Sequence, residues 1–423
     1  MLRLVESKNF KSLRYISQPL RSFHVLIGPN ASGKSTFLEV IQFISDIINR
    51  DIDRAILERA SHLEELTFAG QGGDIELALE VELPDRIKKV FNGKNYEAIR
   101  YEIQIGKRED IHVIKKERVV LLMPGAKHEV SKTPELFPDP AKEIPTTILI
   151  DRFRQHTYKR VISKKEDGND NFYNELLGSS GKGWLPSFKL GPKKSALGNL
   201  PEDETKFPAS TWFKDYLQTG VQMLMLNSMF IKRPSPPGLG VKFMSDGSNL
   251  PWVVEHLKKN NKKFTQWIEH LQVALPDIKD VTTVEREEDK HRYLKIKYSN
   301  GIEVPSWLVS DGTLRLMALT ALAYVQDIQD ISGTYLVEEP ENGIHPKAIE
   351  CVYQSLSSIY SAQILLASHS PIILSLIQPE QLLCFSKTKD GVTDIIEGVL
   401  HPKLREWKGN PDIASLFASG ILS

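Results

Sequence analysis

Gly28-Pro29-Asn30-Ala31-Ser32-Gly33-Lys34-Ser35-Thr36 fits the pattern G-x-x-x-x-G-K-[ST], and its flanks are those the pattern needs. An apolar run at residues 23–27 leads in, and Phe37, Leu38, Ile41 and Ile44 lead out at helical spacing, so the order is strand, loop, helix. Such a loop must be tight enough for successive backbone N–H groups to converge on phosphate oxygens, and Gly28 and Gly33 supply the freedom this requires. Lys34 is placed to reach the outer phosphates of a nucleotide and Ser35 to ligate Mg²⁺, while the helix N-terminus adds a field that favours anions. Asn30, Gly33 and Thr36 complete the expected phosphate contacts. The plain alternative is a glycine- and serine-rich turn that happens to carry a lysine; the strand-to-helix context weighs against it.

The chain has 423 residues, 41% hydrophobic and 26% charged, enough to bury a substantial core in two lobes or domains. Lysine plus arginine equals aspartate plus glutamate at 54 each, so net charge argues against an indiscriminate polyanion binder but leaves room for a local basic patch. Cys351 and Cys384 lie far apart without metal-ligand neighbours, which reads as reduced thiols. The first residues lack the apolar core of a leader, and no run approaches the ~20 apolar residues of a membrane span. A cytoplasmic protein with no membrane segment is the expectation.

Residues 75–83 alternate with period two, residues 101–105 repeat the pattern, and residues 119–122 offer a third strand, so an antiparallel sheet is expected beside the loop. Residues 124–210 are rich in Pro, Gly, Ser and Lys. From Asp151 to Leu200, ten Lys and Arg face five Asp and Glu, with Phe153, Tyr158, Phe172, Tyr173, Trp184 and Phe188 interleaved. That mixture is compatible with nucleic-acid contact, and a solvated insertion is the plainer reading. Helical periodicity returns at 212–229 and 250–275, and the alternation around 293–298 runs into Asn300-Gly301, a hairpin pair.

Residues 333–340 read as a buried strand ending in Glu338 and Glu339. Side chains alternate across a strand, so neighbouring carboxylates can divide the work: Glu338 holds Mg²⁺ through water and Glu339 polarises the attacking water. A second apolar run, 363–367, ends in Ser368-His369-Ser370-Pro371, and a histidine at a strand's carboxyl edge is placed to donate to a terminal phosphate. Between the loop and these strands, Ser310-Asp311-Gly312-Thr313 precedes an apolar helix; Ser310 and Gly312 make either an ordinary cap or a second anion-binding helix start, useful when another subunit presents it.

Taken together, Asn9-Phe10-Lys11-Ser12-Leu13, residues 28–36, Ser310 to Thr313, Glu338-Glu339-Pro340-Glu341-Asn342-Gly343-Ile344-His345-Pro346 and Ser368 to Pro371 resemble an ABC-type AAA ATPase of the group related to SMC proteins, RecF and the ATPase half of OLD nucleases. The resemblance implies an α/β fold, an ABC-type P-loop ATPase head with a mixed sheet core plus an antiparallel β lobe and a largely helical inserted lobe. The corresponding ranges are 1–123 for the N-terminal lobe, 124–280 for the insertion and 281–423 for the C-terminal lobe. It also implies ATP and Mg²⁺ as cofactors, Lys11 near the nucleotide, His345 near a partner's site, and, on spacing alone, Gln71 as a further metal ligand. Head-to-head homodimers or higher homo-oligomers follow, with two nucleotides at the interface. OLD proteins carry a nuclease domain after the ATPase, and the stretch after Pro371 is too short for one. Related stand-alone ATPases act with a separately encoded nuclease or toxin, often in bacterial antiphage defence. A DNA-binding repair ATPase is the alternative; a transporter subunit lacks support in the Ser310 segment.

Overall fold

The computed structural model describes residues 1–125, 135–149, 157–177, 186–325, 333–406 and 412–422. Its centre is a sheet with the strand order Val221–Leu224, Thr334–Glu338, Gln363–Ala367, Phe23–Ile27, Leu382–Lys387 and Thr393–Glu397. The first five run parallel, and the last pairs antiparallel as a hairpin edge. Strands covered on both faces must be apolar throughout, which is why these read as unbroken runs. Alternate residues go to opposite cores. Leu26, Leu336 and Leu365 face one core; Val25, Ile27, Tyr335, Val337, Ile364 and Leu366 face the other.

The first core is closed by helix Lys34–Asn49, which buries Phe37, Leu38, Ile41, Phe43, Ile44, Ile47 and Ile48 between the central sheet and a second, antiparallel sheet. That second sheet runs Leu13–Pro19, Leu2–Phe10, Ile75–Glu82, Ala98–Arg108, Ile111–Leu122, Tyr158–Lys165, Asp170–Phe172 and Ser187–Phe188. A fully buried Arg100 fixes its middle: the guanidinium lies 2.6 Å from Glu6, 3.0 Å from Glu80 and 2.6 Å from Glu102, on three adjacent strands. Losing one partner of such a set would leave charge buried without compensation, at a cost of about 3–5 kcal/mol. The second core lies under helices Leu250–Lys258, Asn261–Ala274, Asp311–Tyr324 and Pro346–Ser357.

The expected antiparallel sheet, the mixed sheet and the Asn300-Gly301 hairpin are present, the last between Arg292–Tyr298 and Glu303–Pro305. Residues 212–229 are not one helix. They divide into helix Pro208–Asp215, a π turn at Tyr216–Gly220, strand Val221–Leu224 and helix Ser228–Lys232. Val221 to Leu226 is a short apolar run whose strand character comes from pairing with Thr334–Glu338, a tertiary partner that periodicity cannot show. Residues 250–275 form two helices, broken where the Asn260 side chain accepts from the Lys263 N–H. Within 124–280, helices therefore share the range with strands that extend both sheets.

Candidate functional site

Because five strands are parallel, their carboxyl ends open on one edge, and ligands in open α/β sheets collect there. The edge holds a cleft of about 730 Å³ lined by Asn30, Lys34, Ser35, Glu338, Glu339 and His369, among others. Residues from the ends of three different strands thus meet in one place.

The loop is built for close approach. Gly28 has φ 153° and Gly33 φ 106°. A Cβ on Gly28 would lie 2.3 Å from the Phe385 carbonyl oxygen, and one on Gly33 2.5 Å from the Thr393 hydroxyl. Thr393, on the hairpin edge, donates to the Ser32 carbonyl at 2.9 Å and shares a 2.9 Å hydrogen bond with Ser12, so the loop is braced from outside. Lys34 donates to the Gly28 carbonyl at 2.7 Å and the Pro29 carbonyl at 3.0 Å. Burial pushes its pKa down to about 8, against the opposing pull of Glu339 and Glu338.

Glu338 ends its strand with Oε1 buried and without a hydrogen-bond partner, an atom in want of a cation. Ser35 is exposed on the same cleft. Among the described residues no group of three or more His, Cys, Asp or Glu forms a cage, and Mg²⁺ needs none: one or two carboxylates with substrate phosphates suffice. These donors fit an Mg²⁺-nucleotide.

Glu339 sits at φ 44°, a left-handed conformation costly for a residue with a side chain. Its N–H donates to the Ala367 carbonyl at 2.8 Å, and its Oε2 accepts from Asn342 at 2.5 Å, so the conformation is held from both sides. Glu341 reaches across to the next strand end: its Oε1 accepts from the Ser368 hydroxyl at 2.7 Å and from the His369 N–H at 3.0 Å. Burial and Lys34 hold His369 below the usual imidazole range, against Glu339 and Glu341, so the ring is neutral near pH 7.

The other expected residues lie elsewhere. Ser310 caps helix Asp311–Tyr324, accepting from the Thr313 N–H at 3.2 Å, and neither Ser310 nor Gly312 lines the chain's own cleft. A Cβ on Gly312 would lie 2.3 Å from the Gly343 carbonyl, so close packing demands glycine there. His345 caps helix Pro346–Ser357 through an Nδ1 that accepts from the Lys347 N–H at 3.3 Å. Lys11 is 2.5 Å from Glu39 on the helix after the loop and does not line the cleft.

Gln71 does not line the cleft either. It is exposed, in a turn pinned by Asn9, which accepts from the Phe68 N–H at 3.0 Å and donates to the Gly72 carbonyl at 3.0 Å. Sequence spacing pointed to Gln71, but the strand beside Glu338 is Val221–Leu224, and it is Asn227 and Ser228, just after it, that line the cleft. Arg315 was also missed as a cleft residue; a basic side chain in the second turn of an apolar helix was the available signal.

The basic segment is largely committed to the fold. Lys159 donates to the carbonyls of Asn174, Glu175 and Leu177, Lys164 pairs with Asp170 at 2.7 Å, and Lys193 pairs with Asp53 at 2.5 Å. Phe172 is buried against Phe207 and Phe188. Arg152, Phe153, Arg154, Lys182 and Trp184 lie outside the described residues. Among the described residues, no helix is long and apolar enough to cross a membrane.

The chain is similar in fold to an SMC head bound to the C-winged helix domain of ScpA, at 16% identity and a TM-score of 0.50, over 93% of this chain and 97% of that one. An SMC head with an extended coiled coil, bound to the C-terminal domain of ScpA derived from Pyrococcus furiosus, aligns over 93% of this chain and 95% of that one at 14% identity and a TM-score of 0.49. The SMC head domain from Thermotoga maritima aligns at 14% identity over 94% and 98% of the two chains, with a TM-score of 0.44. No curated protein matches the sequence. Residues 23–375 match the family described as "AAA domain, putative AbiEii toxin, Type IV TA system", and the chain belongs to that family of P-loop ATPases.

Proposed function

We propose that this chain binds and hydrolyses ATP as a molecular switch, assembles head to head through composite nucleotide sites, and controls a separately encoded effector, a nuclease or toxin, in bacterial antiphage defence. One observation carries the catalytic part: Lys34, Glu338, Glu339 and His369, from three strand ends, share one cleft. Bound Mg²⁺ would neutralise phosphate charge. Lys34 and the loop N–H groups hold the phosphates, Ser35 and Glu338 hold the cation, Glu339 takes a proton from the attacking water, and neutral His369 donates toward the terminal phosphate.

Assembly is supported by what lies outside the cleft. Ser310 and Gly312 do not line the chain's own cleft, and Leu308, 71% exposed, stands just before them as apolar surface. Loss of the terminal phosphate would remove the contact joining copies, giving two states. The family description, which speaks of a toxin of a type IV system, supports the defence setting. The DNA-binding alternative loses support because several of its lysines are internally paired.

Light scattering of the chain with and without Mg²⁺-ATP tests this reading. Nucleotide should raise the solution mass to at least that of a dimer, and Lys34→Ala should abolish both binding and the mass change. Nucleotide binding by Lys34→Ala at wild-type affinity contradicts the site.

A further inference from the structure

Two charged side chains of opposite sign each hold a buried polar atom without a hydrogen-bond partner in one cleft. One is Glu338 Oε1, described above. The other is Arg315, in the second turn of helix Asp311–Tyr324, whose side chain lines the cleft together with Lys34 and Ser35. Its Nε is buried without a hydrogen bond, and its Nη1 lies 3.4 Å from the Leu226 carbonyl, too long to satisfy a guanidinium. Among the described residues no carboxylate forms an ion pair with it. Asp311, one turn earlier on the same helix, is taken by Lys232 at 2.5 Å.

A partly buried guanidinium with an unpaired Nε and no carboxylate among the described residues is suited to an anion, and its planar fork matches phosphate oxygens. Glu338 brings a buried carboxylate oxygen without a hydrogen-bond donor to the same cleft. A single ligand answers both wants: a polyphosphate carrying a divalent cation. Lys34 alone is thinly supplied for such a ligand, because two of its three donor positions already serve the Gly28 and Pro29 carbonyls.

We propose that Arg315 is a second phosphate-binding residue, acting in the same chain as Lys34 and taking the terminal phosphate of a bound nucleoside triphosphate. This rests on the nucleotide reading of the cleft and adds a consequence to it. Helix Asp311–Tyr324 begins at the Ser310 cap, so a terminal phosphate held by Arg315 ties that helix start to the nucleotide state of its own chain.

The test is equilibrium binding of ATP and of ADP, each with Mg²⁺, to the full chain, to Arg315→Ala, to Arg315→Lys and to Lys34→Ala. Arg315→Ala should bind ATP roughly ten-fold more weakly with ADP affinity unchanged, because only ATP presents the lost contact. Arg315→Lys should recover part of the ATP affinity, since it restores charge without the fork. Lys34→Ala should lose both nucleotides. Unchanged ATP affinity in Arg315→Ala overturns the assignment; an equal loss of ATP and ADP overturns it too, in favour of a purely structural role. Failure of the wild-type chain to bind either nucleotide would instead overturn the nucleotide reading beneath it. Mixing Arg315→Ala with Lys34→Ala should restore no ATP binding, whereas recovery would show that the arginine serves a second copy and would overturn action within one chain.

Discussion

Lys34 is caught between burial, which disfavours its charge, and two carboxylates, which favour it; burial wins and brings the pKa down to about 8. The sign of the resulting pH dependence follows from linkage. Phosphate raises the lysine's pKa in the complex, so the free protein loses the proton first as pH rises. ATP affinity should therefore be level just below pH 8 and fall above it, by up to about ten-fold per pH unit. Binding isotherms across that range check this, and a flat profile contradicts it. Glu339 shows a different use of energy at the same scale. Its left-handed backbone is kept by the Ala367 carbonyl and Asn342, which aims the carboxylate independently of substrate.

At the scale of elements, the phosphate loop depends on a hairpin distant in sequence. Thr393, on strand Thr393–Glu397, donates to Ser32 within the loop and touches Ser12 in the first hairpin's turn. Thr393→Val keeps the shape and removes the donor, leaving a carbonyl unpaired, so thermal unfolding should show a loss of about 1 kcal/mol. ATP affinity should fall with it, and a variant as stable and as tight-binding as wild type would show that the brace is idle. Much of the site was legible in sequence for a physical reason. Lys34, Glu339 and His369 each follow an unbroken apolar strand, and parallel strands bring their ends to one edge. Gln71 was misplaced because what flanks Glu338 is set by sheet order, and the flanking strand, Val221–Leu224, is too short to differ from a helix in its periodicity.

At the scale of the molecule, the two sheets share helix Lys34–Asn49 as their common filling, so the loop stands where both cores meet. The second core hangs helix Asp311–Tyr324 beside it, and Arg315 brings that helix into the same cleft. The strands that carry the motifs, near both ends of the chain, were legible. Those in 124–280 were not, because short strands there take their identity from partners far away in sequence. A chain arranged in this way should hydrolyse ATP with Glu339 as the base. Phosphate release should therefore be measured alongside ATP binding for wild type and Glu339→Gln. The expected result is wild-type affinity with turnover reduced by about 10²-fold or more in the variant. Turnover equal to that of wild type would contradict the account.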